Sequence, residues 1–173
     1  MGLIHLYCGD GKGKTTCALG LAIRAAGAGL KVIIIQFLKG SETSELFILK
    51  NIPNICVMRN GKDFGFVNNM TSTQLEQIKS LHNNNLNEAL NYAASGECDL
   101  LILDELTYVY DMQLIDIEKI NQLIKNKPKN LELVITGRNP NDIFIDNADY
   151  ITEMKAVRHP FDKGINARKG IEY

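Results

Sequence analysis

Ten residues near the N-terminus, CGDGKGKTTC from Cys8 to Cys17, concentrate groups that could do chemistry. Gly9, Gly11 and Gly13 alternate with Asp10 and Lys12, and then Lys14, Thr15 and Thr16 follow. Glycines let backbone N–H groups turn inward around an anion with no Cβ in the way. Lys14 adds a full charge on a flexible stem, and the Thr15 hydroxyl can hold a divalent cation beside phosphate oxygens. The pattern approaches G-x-x-x-x-G-K-[ST], the phosphate-binding loop. Anchored on Gly13-Lys14-Thr15, its first glycine falls on Cys8, and a glycine stands only at the next position. The plain alternative is a glycine-rich turn that binds nothing.

A loop of this kind needs a carboxylate for its metal, and LLILDELTYVY supplies two at the end of an apolar run. Asp104 and Glu105 side by side at a buried strand end are unfavourable without a cation, which Mg²⁺ would provide. Either carboxylate is a candidate ligand. The competing role is capping of the helix that follows. Gln36, Lys39 and Arg138 fall after other apolar runs, at what should be the same sheet edge. Arg138 either meets phosphate charge or is a surface arginine beside a turn. Lys39 has the same two readings.

These residues require strands and helices to bring them together. Leu3 to Cys8, Lys31 to Phe37, Ile55 to Met58, Asp99 to Leu103, Leu131 to Thr136 and Tyr150 to Met154 read as strands. Several are apolar without alternation, as in a parallel sheet covered on both faces. Helices are expected over Thr15 to Ala28, from a cap at Thr73 onward, over Ile115 to Ile124, and near Asn141 to Asp146. The run Asn83-Asn84-Asn85 should weaken or bend the second of these. Arg59 to Thr73 reads as a long loop carrying Phe64 and Phe66, and loops of that length are usually functional or disordered. The tail from Lys155 has no clear period. Strands alternating with helices predict one α/β domain over residues 1–173, three-layered and P-loop NTPase-like, with a mostly parallel central sheet.

Bulk properties narrow the function classes. The net charge of −1 offers no global attraction to nucleic acid or anionic membrane. No apolar run approaches a membrane span, and the N-terminus lacks the features of a signal peptide. Four cysteines without C-x-x-C spacing fit reduced packing residues in a cytoplasmic protein.

Taken together, GDGKGKTT, QFLKG, LDELTYVY, VITGR and the tail VRHPFDKGINARKGIEY resemble the P-loop ATP:corrinoid adenosyltransferases, the cob(I)alamin adenosyltransferases. The motifs run in family order from residue 9 to the C-terminus, and the tail and DELTY are the most specific. The resemblance implies an enzyme of adenosylcobalamin biosynthesis or salvage that moves the 5′-deoxyadenosyl group of ATP onto Co(I) of a reduced corrinoid, releasing inorganic triphosphate. It also accounts for the shifted glycine: the family shares it, and its ATP lies reversed in the loop. Gly9, Asp10, Gly11, Lys12, Gly13, Lys14, Thr15, Thr16 and Arg138 would then bind ATP, with Lys14 and Glu105 catalytic and Thr15 and Glu105 on Mg²⁺. Phe64 and Phe66 occupy the family's corrinoid-facing positions, where aromatics displace the lower cobalt ligand; otherwise they anchor the loop to the core. The resemblance further implies an electron-donating flavoprotein reductase and a homodimer. Cobalt is itself the nucleophile, so no general base is required. His5 is expected to be a packed or edge residue and His82 a helix-surface residue, with His159 open. The other reading is a P-loop kinase or ATPase acting at the γ-phosphate.

Overall fold

The computed structural model of the chain describes residues 1–40, 43–59, 61, 65 and 67–172. Six five- or four-residue strands form a single sheet: β1 Ile4–Cys8, β2 Val32–Gln36, β3 Ile55–Arg59, β4 Leu100–Asp104, β5 Glu132–Thr136 and β6 Tyr150–Glu153. Their order is β3-β2-β4-β5-β1-β6, and every neighbouring pair is parallel. Every residue of β2 and β4 is buried. That is why their sequences show no polar alternation: alternate side chains enter two different cores.

On one face Tyr7, Val32, Ile34, Leu100, Ile102 and Val134 pack against α1 (Lys14–Gly27) and the short α2 (Leu46–Leu49). On the other, Leu6, Ile33, Ile35, Leu101, Leu103, Leu133 and Ile135 meet α3 (Ser72–Ala94), α4 (Leu106–Asp111), α5 (Ile117–Asn126) and α6 (Asp142–Ile145). The expected three layers are present. Small residues make the first contact possible, since Ala18, Ala22 and Ala25 are the buried side chains of α1 and let it lie close to the sheet.

Some boundaries differ from expectation for local reasons. Thr71, rather than Thr73, caps α3, because Gln74 completes a capping box with it. Asp116 caps α5 by accepting from the Lys119 amide, so that helix begins two residues later than its apolar pattern suggests. The asparagine run leaves α3 continuous. Asn83 accepts from the Asp116 amide at 2.8 Å, and Asn87 accepts from Lys119 Nζ at 2.6 Å, so this polar face ties α3 to the start of α5. No helix among the described residues is long and apolar enough to cross a membrane.

Candidate active site

All six strands are parallel, so all their C-terminal ends reach one edge of the sheet, where open α/β sheets bind ligands. The loop after β1 turns there into α1 through Gly13, whose φ of 117° is a left-handed conformation suited to glycine. Lys14 Nζ curls back into this loop and donates to the carbonyls of Gly9 (2.6 Å) and Gly11 (2.9 Å). Burial pulls its pKa below the ordinary lysine value, and nearby Arg138 adds to the effect. A cation so placed is ready for an incoming anion.

The odd glycines have a second cause. A Cβ on either Gly9 or Gly11 would stand 2.6 Å from the Met154 carbonyl oxygen. The chain leaving β6 passes directly against the loop, and the Gly11 amide donates to that same carbonyl at 2.6 Å. These two glycines are therefore demanded by the protein's own backbone, whatever else they accommodate. Asp10, Lys12 and Thr16 are exposed on the outer rim. Arg138 is exposed as well, its guanidinium 3.9 Å from Asp10, and Lys12 reaches Glu172 of the tail at 3.8 Å. Lys12 and the tail enclose a cleft of about 360 Å³, lined also by His159, Phe161, Ile165 and Arg168.

Asp104, at the end of β4, is 1% exposed and fully engaged. Its Oδ1 accepts from the Thr15 hydroxyl (2.8 Å) and from the Thr136 hydroxyl (2.7 Å). Its Oδ2 accepts from Lys39 Nζ (2.7 Å) and Gln36 Nε2 (3.2 Å). Among the described residues Asp104, and not Glu105, is the carboxylate in hydrogen-bond contact with the loop threonine. Glu105 sits one residue on, in a left-handed conformation (φ 65°), with its amide donating to Thr136 Oγ1 at 2.9 Å. Burial raises its pKa, and the neighbouring Asp104 charge raises it further. Glu105 makes no side-chain capping bond to α4, and Asp104 is spent on Thr15, Thr136, Gln36 and Lys39. Capping is not their role.

The donor set fits Mg²⁺. It offers hard oxygen atoms from Thr15, Asp104 and Glu105 and no cage of many ligands, as suits an ion that shares its coordination with phosphates and water. Gln36 Oε1 is also buried beside this cluster with no hydrogen-bond partner among the described residues.

Thr136 and Thr107 escaped the sequence reading. Thr107 donates to the Arg138 carbonyl at 2.6 Å, and a Cβ on Gly137 would collide with it. The TG pair at a strand end was the available signal. Phe64 and Phe66 lie outside the described residues.

The histidines divide. His5 is packed: it pairs with Glu132 and stacks on Tyr150 at 4.6 Å between ring centroids. His159 caps a 3₁₀ turn, its Nδ1 accepting from the Phe161 amide at 3.2 Å. His82 contradicts the surface assignment. It is completely buried in α3, with its ring edge against Phe37.

With this geometry in place, a sequence profile of the ATP:corrinoid adenosyltransferases (BtuR/CobO/CobP) matches residues 1–173. The chain belongs to that family. It is 33% identical to the corrinoid adenosyltransferase of Escherichia coli K12, over 99% of this chain and 86% of the relative. It is 32% identical to corrinoid adenosyltransferase CobA of Salmonella typhimurium, with the same coverage. The corrinoid adenosyltransferase of Pseudomonas aeruginosa is 29% identical over 99% of this chain and 84% of its own length. As a family member this adenosyltransferase is an enzyme, a transferase using ATP and a corrinoid, and nothing favours the kinase or ATPase reading.

Proposed function

We propose that residues 1–173 act as one catalytic domain that forms the cobalt–carbon bond of an adenosylcorrinoid. Co(I) donates an electron pair to the ribose 5′-carbon, the C5′–O bond breaks, and triphosphate departs with the bonding electrons. The observation that carries this reading is the whole-chain family match joined to an intact phosphate loop beside Asp104.

The protein's part is to orient the 5′-carbon and stabilise the leaving group where its charge grows. Loop amides between Gly9 and Gly13, other than the Gly11 amide that donates to Met154, would take the triphosphate with Lys14, and Lys12, Thr16 and Arg138 would meet it from the rim. To do so, Lys14 must exchange its two carbonyl acceptors for phosphate oxygens. Mg²⁺, when bound, would neutralise phosphate charge and would be held by Thr15 with Asp104 and Glu105. Phe64 and Phe66 would face the corrinoid and favour loss of its lower axial ligand. Phe64→Ala and Phe66→Ala are then expected to slow Co(II) reduction more than alkylation of ready-made Co(I); equal losses in both assays would point to loop anchoring. The family resemblance also supports a flavoprotein reductase as electron donor and a homodimer. All four cysteines are free thiols, which suits a reducing cytoplasm.

The product decides the matter. In single turnover, phosphorus NMR is expected to show inorganic triphosphate appearing one-for-one with the new cobalt–carbon bond. Stoichiometric ADP and phosphate would overturn the proposal.

A further inference from the structure

The turn that follows β2 holds a left-handed residue with a side chain. Leu38 has φ 60°, a conformation that costs a non-glycine residue on the order of 1–3 kcal/mol and persists only when its surroundings impose it. His82 meets this turn. The Leu38 amide, which can only donate, points at His82 Nε2 at 3.3 Å. The Leu114 carbonyl, which can only accept, lies 2.9 Å from His82 Nδ1. The two partners together demand one neutral tautomer, with the proton on Nδ1 and Nε2 bare. Burial reinforces this by lowering the His82 pKa.

The next residue is Lys39. Its Nζ is 2.7 Å from Asp104 Oδ2 and 3.5 Å from Thr15 Oγ1, so an ammonium group stands against the two oxygens offered above to the metal. Asp104 is 1% exposed and Lys39 26%, so the cation reaches inward from the rim. A charge buried as deeply as Asp104 requires a counter-ion, and Lys39 supplies it.

We infer that Lys39 is the built-in counter-ion of Asp104, that it keeps a divalent cation out until nucleotide arrives, and that His82 is the positioning residue which sets it there through the Leu38 turn. The inference rests on Thr15 and Asp104 as metal oxygens. Free metal must displace a tethered ammonium, whereas metal arriving with triphosphate brings negative charge that accepts both cations. His82 bonds the backbone of Leu38 and Leu114, so it acts on Lys39 through the turn.

Two binding measurements test this without turnover: Mn²⁺ affinity in the absence of nucleotide, by electron paramagnetic resonance, and ATP affinity in the absence of metal, by calorimetry. Lys39→Met is expected to bind Mn²⁺ about tenfold more tightly than wild type and metal-free ATP more weakly. His82→Asn keeps the contact to Leu114 but is too short to reach Leu38, and is expected to shift both affinities part of the way. His82→Gln, which can reach Leu38, is expected to restore wild-type values. In a Lys39→Met background, His82→Asn should add nothing. Unchanged Mn²⁺ affinity in Lys39→Met overturns the inference, as does a His82→Asn effect that persists in full in the double variant. A His82→Asn protein that melts lower yet binds both ligands as wild type shows a purely structural histidine and overturns the positioning role. Asp104→Asn separates the underlying reading: normal Mn²⁺–ATP binding there removes the metal assignment and this inference with it. Lost metal binding there, beside a silent Lys39→Met, removes the inference alone.

Discussion

At the scale of single residues, the arrangement around Asp104 separates two adjacent carboxylates that composition makes look equivalent. Asp104 is buried under four donors, while Glu105, partly buried, takes a left-handed backbone and bonds Thr136 through its amide. Their substitutions should therefore fail differently. Asp104→Asn removes the partner of Lys39 and is expected to cost about 2 kcal/mol of stability, below the fully buried range because Lys39 keeps contact with water. Glu105→Gln is expected to melt within a degree or two of wild type, by the usual scale of tolerated substitutions, yet to lose metal-dependent activity. Thermal melts beside Mg²⁺ titrations of turnover check both, and a Glu105→Gln protein with normal Mg²⁺ dependence would leave Asp104 as the sole carboxylate ligand. Sequence marked the pair as metal-directed. Which member meets Thr15 depends on how α1 lies across β4, and no local pattern carries that information.

At the scale of elements, β6 and the phosphate loop form one unit. Gly9 combines a φ of 96° with Met154 backbone in the space a Cβ would fill, whereas Gly20 on α1 has nothing within 4 Å. Gly9→Ala is thus expected to destabilise by about 1–3 kcal/mol and to weaken ATP binding. Gly20→Ala should instead be neutral or stabilise by about 0.5–1 kcal/mol, since it only removes unfolded-chain freedom in a helix. Chemical denaturation of the two variants distinguishes strain from composition. α3 teaches a related lesson. Ile78, His82, Leu86, Ala89 and Ala93 all lie on its buried face, so the helical period had already placed position 82 inside. Residue type suggested a surface histidine; two backbone partners, at Leu38 and Leu114, make the buried one tolerable.

At the scale of the whole molecule, the parallel sheet brings the loops that follow β1, β2, β4, β5 and β6 to one edge. The consequence is mutual stabilisation of nucleotide and fold. Saturation with Mg·ATP at about a hundred times its dissociation constant should raise the melting temperature by about 5–10 °C. In Lys14→Ala, which removes the charge inside the loop, most of that shift should disappear. A full shift in the variant would show that the triphosphate does not depend on Lys14.

The strands, the helix after the loop and the alternating order were legible because burial on both faces and helical period are written into local residue choice. So was the phosphate loop, since Gly, Lys and Thr carry their chemistry wherever a strand hands over to a helix. Tertiary structure alone decided that Gly9 and Gly11 answer to Met154, that Thr136 shares Asp104 with Thr15, and that a histidine on α3 meets the turn before Lys39. Each of these joins residues more than thirty positions apart. Such contacts follow from strand order and register, which sequence spacing does not encode.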